Sequence, residues 1–345
     1  MPLANRRSTP RLLRALESQR AIFLGEHHPA LRDHLLQAAL LRAVCSKSSR
    51  SKPLAVGLEA VQQQFQPVLD DFVAGRISEQ DVYERTEWER RWYWSFDAYA
   101  PILRICRERQ VELIALDVDS EDKSRVEVDG LASLDRAKLD TYIPDARGFE
   151  RFGSSPAYDE YVAYTLRPPY VLMRKAGQKM TMSTDAQRDM SFDNFLARQS
   201  LRDEAMASRS AAWLTEHPDG QLLGLMGVNH VKFSCGVPAR TARMLPGGRD
   251  VVTSVLLNPT PANTFLDGPQ SLRLCDGTAV ANEACVLNPE MGEIQNYVLQ
   301  VPYGGVPGVP GGMAVRDEAS SAARQAKRGS SVLALSDYII FSPAP

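Results

Sequence analysis

Cysteine is scarce in this chain, and its spacing excludes the usual cysteine-based sites. Five cysteines occur among 345 residues, at positions 45, 106, 235, 275 and 285, and no two of them form a Cys-x-x-Cys pair. The sequence therefore lacks the pattern of a zinc knuckle, a thioredoxin-like redox site or a c-type haem attachment. A chain of this length does not need a disulfide scaffold, so we expect reduced thiols.

Long apolar runs and an excess of one charge are also missing. No run of about 18 apolar residues is present, so the sequence predicts no membrane-spanning helix. Lysine and arginine total 40 and aspartate and glutamate total 42, which gives a formal net charge of −2. This balance provides no general attraction to nucleic acid, and we expect no nucleic-acid partner. With 44% hydrophobic residues, the chain has ample material for a large core.

The first 20 residues contain several arginines and no acidic residue before Glu17. They lack the apolar segment of a secretory signal, which leaves two alternatives. The segment is either the remnant of an organelle transit peptide or a short amphipathic helix with an irregular end. We expect a soluble protein that is cytoplasmic, or located in a plastid or another organelle if a targeting segment includes or precedes residues 1–20.

Apolar runs of strand length alternate with segments of helical period. Such continuous apolar strands, separated by helices, predict an α/β fold with a mostly parallel sheet flanked by helices. Pro29 and Asp97 are expected at helix N-termini, and Gly75 at a helix C-terminus. The predicted strands are 21–25, 54–59, 111–117, 221–227 and 250–257, and the main predicted helices are 29–44, 97–110, 192–217 and 236–245.

Two stretches depart from this alternation. Residues 118–190 form a predicted helical or irregular insertion, with four tyrosines between positions 158 and 170. After residue 258, Pro, Gly, Asn and Ser become frequent, and residues 301–330 are predicted to be a flexible linker. The expected organisation is an N-terminal helix or tail at 1–20, an α/β domain at 21–258 and a C-terminal extension at 259–345. An edge strand is expected within 331–343.

Acidic and imidazole side chains follow four of the predicted strands. The first strand leads into Glu26, His27 and His28, the second ends in Glu59, the third in Asp117 followed by Asp119, and the fourth leads to His230. In open α/β sheets, ligands bind outside the carboxyl ends of the strands. Imidazole and carboxylate groups together hold a divalent metal or position a water for general-base attack.

Structural roles are open for each of these residues taken alone. A carboxylate at a strand end often caps the following helix, so Glu59 and Asp117 are also candidate N-caps. His27 and His28 are equally candidates for solvated loop residues, and His34 is expected to interact with the surface of its own helix. The four tyrosines are expected to be packing residues, because aromatic side chains supply much of the buried area in cores.

The pairing of two motifs strengthens the functional interpretation. Gly25-x-x-His28 and Gly227-x-x-His230 have the same spacing, and each follows an apolar strand of similar length. Together with the segments "FLGEHHPALRDHLLQAALLRAV", "LAVGLEAVQQQFQPVLDDFVAGRIS" and "LLGLMGVNHVKFSCGVPARTARML", they resemble the ChaN-like domain of the haem-binding uptake and Tiki superfamily. The resemblance covers about residues 20–257.

The resemblance implies a set of site residues. Paired GxxH motifs and an acidic residue on an intervening strand mark the superfamily, and these correspond to His28, His230 and Glu59, with Glu26 inside the first motif. The resemblance also implies an α/β sheet with helical additions. Members differ in activity: ChaN proteins are implicated in haem binding, Tiki proteins are similar to metal-dependent proteases, and the erythromycin esterase branch hydrolyses a lactone.

Two functional hypotheses follow. The first is binding of haem or a related tetrapyrrole in iron or haem handling, with this small molecule as the partner and a homodimer left open. The second is a hydrolase in which Glu26, His28, Glu59 and His230 are catalytic. In this second hypothesis, a divalent metal held by His28, Glu59 and His230 is an alternative to direct activation of water.

Overall fold

A six-stranded parallel sheet forms the centre of the molecule. We describe a computed structural model, which covers residues 9–47, 52–167, 170–171, 190–259 and 336–340. The strands lie in the order β3-β2-β4-β1-β5-β6, and every neighbouring pair is parallel. The predicted α/β class with a parallel sheet is therefore confirmed. The strands are β1 (Ala21–Glu26), β2 (Leu54–Gln62), β3 (Glu112–Asp117), β4 (Gln221–Gly227), β5 (Val252–Leu257) and β6 (Tyr338–Ile340).

Helices cover both faces of this sheet. Short 3-10 turns join several of them, and a π-helical segment, Val162–Leu166, continues the tenth. The helices are α1 (Thr9–Glu17), α2 (Leu31–Lys47), α3 (Gln66–Val73), α4 (Glu79–Arg85), α5 (Trp88–Arg91), α6 (Phe96–Arg109), α7 (Ser120–Asp129), α8 (Arg136–Tyr142), α9 (Ala146–Gly153), α10 (Pro156–Tyr161), α11 (Phe192–Glu216), α12 (Val228–Val231) and α13 (Val237–Met244).

The strands are apolar throughout because they are buried on both sides. Successive side chains of a strand point to opposite faces, and β1 divides its residues accordingly. Ile22 and Leu24 join the core beneath α1 to α6, whereas Ala21 and Phe23 join the core beneath α10, α11 and α13. Every residue of β1, β4 and β5 is buried.

Several predicted boundaries need correction. Helix α2 begins at Leu31, so Pro29 lies in the preceding turn and not in the first helical turn. Helix α6 begins at Phe96 with Ser95 in the N-cap position, so Asp97 is a first-turn residue and not the cap. Gly75 follows α3 with a φ of +74°, as its predicted C-terminal role requires.

Strand β2 runs further than predicted, which changes the position of Glu59. The strand continues to Gln62, and its register against β3 shifts between Leu58 and Gln62. Glu59 therefore lies at an irregularity within the strand and not at its end. Such irregularities redirect side chains and are frequent beside functional sites.

The predicted insertion is helical where the structure describes it. Helices α7 to α10 occupy its first part, while 168–169 and 172–189 lie outside the described residues. Two of the predicted packing tyrosines are indeed buried, since Tyr158 is 3% and Tyr161 0% exposed. The predicted linker at 301–330 lies outside the described residues, and β6 lies within the segment predicted as an edge strand.

Candidate functional site

Glu26, the last residue of β1, is the centre of a buried hydrogen-bonded cluster. Its Oε1 accepts a hydrogen bond from the Tyr99 hydroxyl at 2.6 Å and lies 3.0 Å from Nδ1 of His28. Its Oε2 accepts a bond from the Gln37 amide at 2.5 Å and lies 3.2 Å from Nδ1 of His34. Burial alone would raise the pKa of Glu26, but the hydrogen bonds from the two imidazoles lower it to about 2. Glu26 is therefore a carboxylate with four polar partners.

His28 reaches the protein surface, unlike the other predicted site residues. Its side chain is 22% exposed, whereas Glu26, Glu59 and His230 are each at most 5% exposed. The ring stacks on Trp94 with a centroid distance of 5.7 Å and meets Trp92 edge to face at 5.0 Å. A carboxylate on Nδ1 fixes the orientation and tautomer of an imidazole, so Glu26 holds the His28 ring at the mouth of the site.

A second cluster surrounds Glu59. Its Oε1 accepts a bond from Nη2 of Arg202 at 2.6 Å and lies 3.2 Å from Nε2 of His230, while Oε2 accepts the Gly227 backbone N–H at 2.6 Å. Arg202 also donates to both carboxylate oxygens of Asp117, at 2.8 and 3.0 Å. Burial opposes ionisation, but His230 and Arg202 hold the pKa of Glu59 well below its ordinary value. A buried guanidinium thus joins the carboxylates of β2 and β3.

His230 is held between two carboxylates. Its Nδ1 lies 2.5 Å from Oδ1 of Asp203, and its Nε2 faces Glu59. Burial lowers the pKa of His230, but Glu59 and Asp203 outweigh that effect and raise it to about 9. The imidazolium is thus favoured by the two carboxylates and opposed by Arg202, whose Nη1 lies 3.1 Å from Nε2. With Arg202 and with Lys123, whose Nζ lies 2.7 Å from Asp117, it balances the charge of three buried carboxylates.

The two GxxH glycines join the clusters. A Cβ at Gly227 would lie 2.7 Å from Nε2 of His28 and 3.6 Å from Oε2 of Glu59. A Cβ at Gly25 would lie 3.2 Å from both the Cα of Val228 and the Cβ of Val231. Gly227 therefore makes room for His28, and Gly25 makes room for residues that follow Gly227 and for Leu256, whose Cδ2 would lie 2.6 Å from its Cβ. This reciprocal packing brings all four predicted site residues into one continuous set.

The two remaining N-terminal histidines, His27 after β1 and His34 in α2, both have structural roles. His27 donates its backbone N–H to Oδ2 of Asp33 at 2.9 Å, and its Nδ1 lies 2.8 Å from the same oxygen. The other oxygen of Asp33 accepts a bond from the Asn258 amide, so His27 is tied to α2 and to the end of β5. His34 interacts with its own helix as expected, because its Nδ1 lies 3.3 Å from Oε1 of Gln37, but it does so on a buried face. His34 is 1% exposed, and its Nε2 lies 3.0 Å from the His28 carbonyl oxygen.

Neither Glu59 nor Asp117 caps a helix. Glu59 is bound to Arg202 and Gly227, and Asp117 accepts bonds from Arg202 and from the Val118 backbone N–H. Asp119 occupies the position before α7, but its side chain does not cap that helix. The interpretation of these strand-end acids as helix caps is therefore corrected to membership of the buried charge network.

Sequence patterns did not indicate Arg202 and Asp203 as site residues. Both lie in a run of charged residues in α11, yet Arg202 is 8% and Asp203 0% exposed. The available signal is compositional: alanine and serine are frequent on every side of this run, which allows the helix to be buried all round. Tyr99 was missed because aromatic residues in helical segments are ordinarily assigned to the core, and Trp92 lies in the short connection after α5, where no pattern marked it.

The predicted metal ligands are arranged around protein cations. Within the part of the chain that the structure describes, no group of three or more His, Cys, Asp or Glu side chains could hold a metal ion. Arg202 donates to Oε1 of Glu59, the oxygen that lies 3.2 Å from His230, and its Nη1 lies 3.1 Å from Nε2 of the same histidine. The metal set of His28, Glu59 and His230 stays a prediction. Among the described helices, none is long and apolar enough to cross a membrane.

A curated relative is similar to this chain. The protein RETICULATA-RELATED 5, chloroplastic, from Arabidopsis thaliana is 26% identical over 276 residues, which cover 75% of this chain and 34% of the relative. The chain thus spans about a third of the length of the curated relative that it matches.

The solved structures are similar at low sequence identity. A structure of cofacial haem binding to ChaN of Campylobacter jejuni is 15% identical, with a TM-score of 0.49, over 72% of this chain and 86% of that chain. A mutant of the erythromycin esterase EreC in an open conformation is 15% identical, with a TM-score of 0.43, over 99% of this chain and 98% of that chain.

A family model gives the strongest match. The family described as "Haem-binding uptake, Tiki superfamily, ChaN" matches residues 12–241, which run from α1 to α13 and comprise well over half of the chain. This range includes both GxxH motifs and all four predicted site residues. The resemblance inferred from the sequence is confirmed, and the chain belongs to the ChaN family of the haem-binding uptake, Tiki superfamily.

Proposed function

We propose that this protein binds haem or a related tetrapyrrole at the carboxyl edge of its sheet and acts in iron or haem handling. Membership of a haem-binding uptake family supports the ligand class. The observation that carries the proposal is His28, an exposed imidazole that Glu26 orients and that packs against Trp92 and Trp94. A tetrapyrrole is a flat apolar ring system, and aromatic side chains supply the matching surface.

The residues present fit such a ligand in chemical type. His28 offers an imidazole, the commonest protein ligand for haem iron, and the two indoles offer apolar contact area. A bound haem would supply an iron centre, while Glu26 and Gln37 would keep the imidazole oriented from behind. The buried Glu59–Arg202 pair makes this edge rigid, because its ion pairs connect β2, β3 and α11.

Titration of the purified protein with hemin tests the proposal. We expect saturable binding at micromolar protein with a shift of the Soret band. His28→Ala should weaken binding by about tenfold, since it removes the oriented imidazole and its contacts with two indoles. His217→Ala is the matched control, because that partly exposed histidine lies beyond α11 at the opposite edge of the sheet. Absence of saturable hemin binding by the unmodified protein would refute the proposal.

Hydrolysis is a second candidate, and one observation favours it. His230 is protonated, is oriented by Asp203 and faces Glu59, which is an arrangement suited to a general acid. Glu26 is a poor general base at neutral pH, because its hydrogen bonds with His28 and His34 outweigh burial and hold its pKa at about 2. A divalent metal would compete with Arg202 for Glu59. Binding is therefore the better-supported function.

A hydrolase screen with two variants distinguishes the candidates. If the protein is a hydrolase of this type, His28→Ala and His230→Ala each abolish turnover while the circular dichroism spectrum is retained. Turnover that survives both substitutions would exclude these residues as catalytic. A stoichiometric metal after purification without chelators would favour hydrolysis over haem binding. The chloroplastic designation of the Arabidopsis relative supports the plastid alternative for the location of this chain.

A further inference from the structure

A second pocket lies beside the strand-end site, between α4, α5 and the start of α6. Its volume is about 400 Å³, which is within the range of small-molecule pockets. Most of its walls are aromatic, and all of these aromatic residues come from one short stretch of the chain. They are Tyr83, Trp88, Trp92, Tyr93, Trp94 and Phe96.

The rings of this aromatic pocket are fixed at large angles to one another. Trp88 and Tyr83 both meet Phe96 edge to face, at 5.0 and 5.6 Å, and Tyr93 meets Trp94 at 5.0 Å with an interplanar angle of 84°. The Trp88 indole also donates a hydrogen bond to the Trp94 carbonyl oxygen at 2.8 Å. These contacts hold the aromatic side chains of the wall in fixed orientations relative to one another.

The charge of the aromatic pocket is negative. Glu89 and Asp97 line it, and among the described lining residues none is Lys, Arg or His. The Tyr83 hydroxyl donates to the Glu89 carboxylate at 3.2 Å and so holds this group at the wall. The neighbouring arginines are bound elsewhere: Arg91 pairs with Glu87 and Glu121, and Arg104 pairs with Glu79.

We propose that the aromatic pocket binds an alkylammonium ion, such as a choline-type quaternary ammonium compound. The faces of aromatic rings carry negative potential and attract cations within about 6 Å of the ring centre. An alkylammonium group presents apolar methyl groups to the rings and a positive charge to Glu89 and Asp97. Both carboxylates would repel an anion, and a neutral apolar ligand would gain nothing from them.

This site adjoins the one proposed for haem and differs from it in its charged residues. The two share Trp92 and Trp94, which stand between His28 and the aromatic pocket. Neither Glu89 nor Asp97 contacts the strand-end clusters through any hydrogen bond recorded among the described residues. Failure of hemin to bind would therefore leave the alkylammonium proposal standing.

Intrinsic fluorescence tests the proposal on the unmodified protein. Three of its four tryptophans line the aromatic pocket, so binding there should change the emission strongly. Choline and tetramethylammonium are titrated at constant ionic strength, with 3,3-dimethylbutan-1-ol as the neutral isostere of choline. We expect saturable responses to both cations and at least about threefold weaker binding of the alcohol, the range that cation–π contacts give.

Two variants that each remove one negative charge test whether choline binds at the aromatic pocket. Asp97→Asn and Glu89→Gln should each weaken choline binding by about threefold to tenfold, because each removes a charge without removing the wall. Glu108→Gln is the matched control, since Glu108 is an exposed acid on the same helix as Asp97 and lies outside the aromatic pocket. Circular dichroism confirms that all three variants are folded.

Equal binding of the alcohol and of choline would overturn the proposal. So would unchanged choline affinity in both charge variants, or no saturable response to either cation. Titration with a peptide that contains trimethyllysine shows whether the alkylammonium group comes from a free ion or from a modified protein side chain. Choline binding at least as tight as the peptide supports a free ion, and tighter peptide binding supports a modified protein side chain as the source of the same alkylammonium chemistry.

Discussion

At the scale of single residues, the glycines of the two motifs matter because they lack a side chain and let neighbouring residues approach closely. Gly227 has a φ of −61°, a conformation open to any residue, so its role is not one of backbone freedom. Gly227 is important because His28 and the Glu59 carboxylate both approach it closely, and the carboxylate accepts a hydrogen bond from the Gly227 backbone N–H. The same substitution therefore has different consequences at different glycines of this chain.

Gly227→Ala should displace His28 and weaken the proposed hemin binding by about tenfold. The added methyl group would lie 2.7 Å from Nε2 of His28, so the ring must move away from Trp94 and Glu26. We also expect a loss of about 1–3 kcal/mol in the free energy of unfolding, as is typical of overpacking. Urea denaturation and hemin titration measure the two effects.

Gly153→Ala is the control for this substitution. A Cβ at Gly153 would meet no atom within 4 Å among the described residues, so stability should change by less than about 0.5 kcal/mol. Equal effects of the two substitutions would contradict the steric explanation of the motif.

His230 should make stability depend on pH in the alkaline range. Glu59 and Asp203 outweigh the effect of burial and raise its pKa from 6.5 to about 9. Because the folded state binds the proton more tightly, this contribution is complete below pH 6.5 and is lost as the pH rises through about 9. Its size is about 3 kcal/mol.

The test compares urea unfolding of the unmodified protein and of His230→Gln between pH 6 and pH 10. The unmodified protein should lose more of its free energy of unfolding across this range than the variant does. Parallel curves would show that His230 is not the titrating group.

At the scale of elements, α11 connects strands that are distant in sequence. Arg202 binds Asp117, 85 residues away, and Glu59, 143 residues away. Both carboxylates are buried, so the guanidinium, together with Lys123 and His230, compensates charges that neither β2 nor β3 could bury alone. The helix thus does more than cover the sheet, because it completes the second cluster.

Arg202→Met should lower the free energy of unfolding by about 3–5 kcal/mol, since it leaves Glu59 and Asp117 without their shared cation. Arg90→Met is the control, because Arg90 is 70% exposed and its ion pairs should contribute less than about 1 kcal/mol. Combining Arg202→Met with Glu59→Gln and Asp117→Asn should recover part of the loss, as measured by urea denaturation. No recovery would indicate that lost packing and not uncompensated charge causes the effect.

The positions of the strands and site residues show which features local sequence patterns can predict. Hydrophobic periodicity is local, and it located β1, β3 and β4 to within a residue or two. The GxxH spacing identified His28 and His230 because each motif lies within four residues. Arg202 could not be found in this way, since its partners are defined by the folded sheet. The register shift after Leu58 escaped prediction for the same reason, because it depends on the pairing of β2 with β3.

At the scale of the whole molecule, the far C-terminal part of the described chain completes the sheet. Ile339 and Ile340 of β6 are fully buried and enter the two opposite cores. Asp337 accepts hydrogen bonds from the backbone N–H and the hydroxyl of Ser254, at 2.8 and 2.7 Å. This segment is therefore part of the α/β domain, although the domain was predicted to end at residue 258.

Ile339→Ala should destabilise the protein by about 2–5 kcal/mol, because it opens a cavity in the core beneath α11 and α13. Val128→Ala is the control, since Val128 is 51% exposed and should change stability by less than about 0.5 kcal/mol. Thermal and urea denaturation measure both. A negligible effect of Ile339→Ala would mean that β6 does not contribute to the folded sheet.

The reciprocal packing of Gly25 and Gly227 has a consequence for synthesis. A nascent chain leaving the ribosome exposes Glu26, His28 and Glu59 long before it contains Arg202, Gly227 and His230. The first motif cannot take its final geometry until β4 inserts between β1 and β2, which are neighbours in sequence but not in the sheet. Closing contacts over such separations is slow. The protein can therefore bind a ligand at this edge only late in translation, after the central strands have reached their final order.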